Sequence, residues 1–267
     1  MTVAPPARIN LIAVIVATTA ALIGRAWLQL VLLADGLPKD YAADLSYLVV
    51  PPILIILLAP VLNKDMAFLV KQFRYPGISL SIVFKAVLIG LLLRIASWAN
   101  LITGVSFGLY RSEDPFAIEG PQFAFHCASP HVVILGFVVM AVMVPVIEEV
   151  THRAYIQSAF RDRGPFIAIS VSAIIFAIFH PPANWAFTFF AGLVLGSQYW
   201  YSGSLWPSLI SHATVNGLVQ VDWRCLNIQW NPRATELPVL SSGIPALLVL
   251  LMSIYAIFVL VKKRRGG

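Results

Sequence analysis

The chain has 267 residues, 59% hydrophobic and 11% charged, and its mean hydropathy of +0.85 excludes an ordinary soluble domain, leaving an all-α, polytopic membrane protein. The net charge of +6 is not a nucleic-acid footprint, because the basic residues fall in short loops and in the tail Lys262-Lys263-Arg264-Arg265 instead of along an amphipathic face. Two cysteines, Cys127 and Cys225, supply neither a disulfide framework nor a thiolate metal cluster, and leave open a single bridge or two thiols.

Apolar runs long enough to cross roughly 30 Å of hydrocarbon occur at 9–34, 45–62, 78–103, 131–160, 165–181, 185–201, 205–221 and 244–261, which predicts about eight transmembrane helices. The first run continues past Arg25, too far for a secretory apolar core, and reads as an uncleaved span. Pro51, Pro52 and Pro60 are expected to kink the second span. The stretch 64–75 mixes basic and apolar groups and reads as an interfacial helix on the cytoplasmic surface, not a substrate site. In the fourth span Pro145 frees a backbone carbonyl and predicts a local bend. Lys64, Lys71 and Arg74 follow the second span, Arg161 and Arg163 the fourth, and the basic tail the eighth. With Arg8 they predict an N-in, C-in topology in a bacterial cytoplasmic membrane, with the Cys127 and Cys225 loops on the outer face. No tandem repeat or linker divides the chain, so 1–267 reads as a single membrane domain.

Ionisable groups interrupt this pattern in the fourth span, at Glu148-Glu149 and Arg153. A carboxylate at bilayer depth costs roughly 3 kcal/mol on insertion scales, so such groups must pair internally, and they suggest a function. Residues four apart share a helix face, which sets Glu149 against Arg153 and Glu148 against His152 while the two glutamates diverge. An ion pair with Arg153 commits Glu149 to structure and leaves Glu148 as the candidate general base. Later spans add His180, and His212 with Asn216 on one face. A glutamate with a histidine can deprotonate water, and a histidine with an asparagine amide can donate to the oxyanion formed when water attacks a carbonyl. These parts suit amide hydrolysis.

Glu148-Glu149 with Arg153, Phe176 with His180, and His212 with Asn216 resemble, in order, the EExxxR, FxxxH and HxxxN motifs of the CPBP intramembrane proteases, a family that includes the Rce1-type CaaX prenyl proteases and the bacterial Abi group. The run from Phe190 through Gly192, Gly196, Tyr199 and Ser202-Gly203-Ser204-Leu205 is also similar. The resemblance covers 144–218 as a catalytic core and implies an intramembrane endopeptidase acting on a membrane-anchored protein or peptide. It implies that Glu148 and His180 activate water, that His212 and Asn216 form the oxyanion hole, and that Glu149 with Arg153 supports the site. The family usually carries an aromatic residue at the position of His152 and Gly at that of Ala154, which makes His152 an additional candidate partner of Glu148.

No covalent nucleophile is expected, since both cysteines lie in loops away from the motifs and no Gly-x-Ser-x-Gly element occurs. No cofactor is expected either; the alternative within the same chemistry is a zinc ion on Glu148, His180 and His212, against which stands the absence of an HExxH helix. The non-enzymatic alternatives are a membrane scaffold, a bacteriocin-immunity factor, or a transporter using the same buried charges. Arg25 and Arg94 also lie in spans; they read as snorkelling or paired with Asp44, or as receptors for a substrate's C-terminal carboxylate.

Overall fold

The computed structural model describes residues 8–74, 78–109, 130–220 and 239–261, and the described residues form helices and turns. Cys127, Cys225 and the basic tail lie outside them. In chain order the helices are α1 (Arg8–Ala34), α2 (Lys39–Tyr47), α3 (Val50–Arg74), α4 (Leu80–Ser106), α5 (Pro130–Gly136), α6 (Val144–Glu149), α7 (Pro165–Ile178), α8 (Trp185–Ser202), α9 (Trp206–Val219) and α10 (Ile244–Val261). Wide π-helical turns fill Phe137–Met143 and Val150–Gln157, so α5 and α6 belong to one continuous rod, and a further π turn at Val239–Gly243 leads into α10.

Local chemistry explains most boundaries. Ser79 caps α4, its hydroxyl accepting from the Ile82 amide at 3.3 Å. Gly203 closes α8 at φ 68°, a left-handed conformation that costs glycine nothing. Pro165 and Pro207 open α7 and α9, where a missing N–H removes no helical bond. Pro51 and Pro52 do the same for α3: the second apolar run divides at Leu48 and Val49 into α2 and α3, and of its three prolines only Pro60 lies in a helix interior. The expected interfacial helix at 64–75 is the continuation of α3. Its end is tied to the turn between α8 and α9, where the Leu205 amide donates to the Gln72 carbonyl at 3.0 Å and Trp206 Nε1 to the Phe73 carbonyl at 2.6 Å.

Five helical stretches among the described residues are long and apolar enough to cross a membrane: Asn10–Ala34, Tyr41–Phe73, Leu80–Ser106, Val133–Gln157 and Val239–Val261. The other three expected spans are the shorter α7, α8 and α9, which pack among these rods. Large apolar side chains such as Trp27, Ile56, Phe84, Met252 and Tyr255 point outward, while Ala17, Ala21, Ala96 and Ala99 lie inside; small interior residues let helices approach closely where lipid removes any hydrophobic drive to associate.

The helix directions are fixed by contacts at both ends of each pair. α1 and α3 are antiparallel, since Asn10 Nδ2 donates to Asp65 Oδ2 at 2.8 Å and Gly24 faces Ile53. α4 and α9 run the same way: Ser211 Oγ donates to the Ala86 carbonyl at 2.7 Å, and one turn on Gly90 meets Thr214. A Cβ on Gly90 would stand 2.6 Å from Thr214 Cβ and 2.7 Å from the Ser211 carbonyl, so the crossing needs glycine. Gln198 Nε2 donates to the same Ser211 hydroxyl at 2.8 Å, joining α8 to both. α10 returns antiparallel along α4, with Gly243 against Ser106 at one end and Ile257 packed with Ile89 and Leu93 toward the other.

Candidate active site

The rod carrying the glutamates changes register around them. In the π turns before α6 the Val144 amide donates to the carbonyl of Val139, five residues back. The next bond in that register would run from residue 145 to Met140, but residue 145 is proline and has no N–H. The Met140 carbonyl is instead taken by Asn216 Nδ2 from α9 at 2.9 Å. The freed carbonyl expected from Pro145 therefore finds its partner in a candidate site residue, and that bond fixes α9 beside the glutamates.

Glu149 and Arg153 form a fully buried ion pair, with Arg153 Nε 3.2 Å from Glu149 Oε2. Arg153 Nη1 donates to Ser172 Oγ at 2.8 Å, and Ser172 donates in turn to the His152 carbonyl at 2.8 Å, locking the rod to α7. The second oxygen of Glu149 meets His212 Nδ1 at 3.0 Å. On the other side of the same ring, His212 Nε2 lies 3.5 Å from Glu148 Oε2. The two glutamates thus flank one imidazole, Glu149 by a hydrogen bond and Glu148 at ion-pair distance alone. Both Glu149 oxygens are committed, whereas Glu148 keeps 23% of its side-chain exposure and its Oε2 has no hydrogen-bond partner.

Phe176 fills the centre of the cluster. Its ring centroid lies 4.6 Å from that of His180, 5.1 Å from His152 and 5.8 Å from His212, and the Arg153 guanidinium stands 5.1 Å over it. His180 follows the end of α7, before Pro181 and Pro182. Its Nδ1 donates to the Phe176 carbonyl at 2.7 Å, and Trp185 Nε1 donates to the His180 carbonyl at 2.8 Å. Committing Nδ1–H to a carbonyl selects the tautomer whose Nε2 is an acceptor. His152 binds Glu148 too, but through the backbone: its Nδ1 donates to the Glu148 carbonyl at 2.8 Å, and its buried Nε2 is shut in beside Phe176 and Phe179 without a partner.

A cavity of about 190 Å³ opens on this cluster. Phe176, His180, His212 and Asn216 stand in its wall, and α4 contributes Arg94, Ser97 and Asn100. Glu148 is not part of that wall and reaches it through His212. Of the expected residues the structure thus brings Glu148, Glu149, Arg153 and His212 into one connected cluster, places Asn216 in the cavity wall with His212 but with its amide on the Met140 carbonyl, and sets His180 against the Phe176 ring, bonded to no carboxylate among the described residues. The three residues considered for zinc are not gathered into a ligand set: among the described residues no three His, Cys, Asp or Glu side chains are placed to hold a metal ion. Sequence reasoning missed Ser172, which has no periodic signal, and the central place of Phe176, which is visible only as the first position of FxxxH. It also missed the Met140 carbonyl, whose freedom Pro145 announces only once the π register is known.

Ionisable side chains gathered from several apolar helices around an internal cavity define an integral membrane protein with a polar site inside its helix bundle. Residues 130–218, a third of the chain, match the family described as type II CAAX prenyl endopeptidase Rce1-like. The match takes in the whole glutamate-bearing rod, α7, α8 and nearly all of α9. No curated protein and no solved structure matches the chain.

Proposed function

We propose that the protein is a glutamate-dependent intramembrane endopeptidase that cleaves a membrane-anchored protein or peptide with water activated by Glu148 and His180, without a covalent intermediate and without a metal. The observation that carries this reading is the unequal commitment of the two adjacent glutamates. Glu149 has both oxygens engaged by Arg153 and His212, while Glu148 retains an oxygen free of hydrogen bonds and some exposure. Of the acceptors left without a structural bond, His152 Nε2 is shut in beside Phe176 and Phe179, and Glu148 Oε2 and His180 Nε2 are the two assigned to water. Water between them loses a proton to Glu148 as its oxygen attacks the carbonyl carbon. The oxyanion is met by the second amide N–H of Asn216, the first being spent on Met140, and by the Nε2–H of His212, which stands 3.5 Å from Glu148 Oε2 without a hydrogen bond to it. Glu148 then returns its proton to the departing amine as the C–N bond breaks.

Prenylated CaaX proteins are the substrate class suggested by the family's description, and trimming of other lipid-anchored C-termini is the same chemistry on a different tail. In a reconstituted assay with a prenylated CaaX peptide, Glu148→Gln and His180→Ala are expected to lose cleavage by at least a hundredfold while remaining folded, in the range of a removed acid or base. Cleavage retained by both would overturn the mechanism. Activity that survives exhaustive chelation in protein free of zinc supports the metal-free version, and loss restored by zinc overturns it. A scaffold or immunity role predicts the opposite of all of this, because its cellular effect would survive Glu148→Gln.

A further inference from the structure

Arg94 has no place in the hydrolytic scheme. It is 5% exposed, yet among the described residues it pairs with no carboxylate, and its Nε has no hydrogen-bond partner. Its guanidinium lies 4.7 Å over the Trp98 ring, which holds the group in place without neutralising it. Inside an apolar bundle, a guanidinium that is ionised and unmatched costs several kcal/mol or more, and such groups mark ligand sites by default. Arg94 belongs to the wall of the same cavity as His180, His212 and Asn216.

We propose that Arg94 is a specificity-determining residue that receives the C-terminal carboxylate of the peptide whose bond is hydrolysed below it, a proposal that rests on the proteolytic reading above. A guanidinium is a planar fork that matches a carboxylate with two parallel hydrogen bonds. The one carboxylate that a peptide carries whatever its sequence is at its C-terminus; an acidic side chain is the other source of the same chemistry. Position favours the terminus. Because α4 and α9 climb together, with Ala86 level with Ser211 and Gly90 with Thr214, Arg94 lies nearly two turns above His212. That is on the order of 10 Å at 1.5 Å per residue, a gap that a few extended residues bridge. The wall between the two levels includes the apolar Leu93, Leu195 and Val215, and so fits aliphatic side chains followed by an anion. At about 190 Å³ the cavity is below the roughly 300 Å³ of ordinary small-molecule pockets, which suits a short chain end and not a bulky internal loop.

The test uses the full-length protein in lipid nanodiscs and an N-terminally lipidated peptide ending in two leucines, prepared as free acid, as C-terminal amide, and as an amide with Asp in place of the last leucine. Binding is read in the Glu148→Gln background by fluorescence anisotropy and cleavage in the wild-type protein. The free acid is expected to bind at least tenfold more tightly than the plain amide, and wild-type cleavage is expected to show the difference in KM more than in kcat. Arg94→Gln should bring the acid-to-amide ratio close to one, and Arg94→Lys should keep part of it. Equal binding of acid and plain amide overturns the proposal without needing any Arg94 variant to fold, and rescue of the amide by Asp assigns the anion to a side chain and overturns the terminal assignment. Cleavage that persists in Glu148→Gln overturns the mechanism, while the acid-to-amide ratio still decides the role of Arg94.

Discussion

Arg153 is the residue on which the buried charge depends most. Removing one partner of a buried ion pair leaves the other charged and unmatched, at about 3–5 kcal/mol, so Arg153→Met is expected to lower stability by that order in detergent unfolding, with Glu149 stranded. The double variant Glu149→Gln/Arg153→Met should recover part of the loss; a double variant as unstable as the sum of both singles would show that the pair is not the unit that matters. Phe176→Ala should cost about 3–5 kcal/mol as a large aromatic deletion, whereas Phe176→Leu should retain most of the stability and still impair cleavage, because it removes the ring that separates and orients His152, His180 and His212. At this scale the sequence was informative where geometry is local. The Glu149–Arg153 pair follows from spacing alone. Whether His180 or His212 touches Glu148 depends on how α7 and α9 pack, and helix periodicity carries no record of that; the structure puts His212 on the carboxylate and His180 on a backbone carbonyl.

At the scale of elements, the decisive feature is the pair of π turns flanking α6. Hydropathy marks the rod as a span but is blind to whether each amide reaches back four residues or five, so the carbonyl freed by Pro145 was legible while the register that decides which carbonyl it is was not. The register makes a specific coupling between Pro145 and Asn216. Asn216→Ala leaves the Met140 carbonyl without its partner, which should cost about 1–3 kcal/mol. Pro145→Ala restores an N–H at the one position able to bond Met140 in the π register, so Asn216→Ala in a Pro145→Ala background should cost less than half as much. Unfolding of the four proteins in detergent measures this cycle, and additive losses would mean that Asn216 does not stand in for the missing amide. Under the proposed mechanism activity should not recover with stability, because the backbone amide restored at position 145 satisfies the carbonyl but leaves no Asn216 amide for the proposed oxyanion.

For the whole molecule, the number of crossings is decided by α7, α8 and α9. With 14, 18 and 14 residues they measure about 21, 27 and 21 Å at 1.5 Å per residue, short of the roughly 30 Å of hydrocarbon, and five longer stretches are the clear spans. Five crossings would put the two termini on opposite sides, and eight would put them together. The packing argues for eight. Asn10 at the start of α1 is level with Asp65 near the end of α3, and Gln72 at that end holds the α8–α9 turn, near which Arg161 lies over Trp200 with its guanidinium 5.1 Å from the ring. α9 leaves this face alongside α4, and α10 begins against Ser106 at the far end of α4 and runs back. The described ends of the chain, at the start of α1 and the end of α10, are therefore expected on the face that carries Lys64, Lys71, Arg161 and Arg163, the side that the positive-inside rule assigns to the cytoplasm. Fusions of green fluorescent protein and of alkaline phosphatase to each terminus should give fluorescence and no phosphatase activity at both ends. An active C-terminal phosphatase would place the termini on opposite sides and reduce α7 to α9 to helices that enter the bilayer without crossing it.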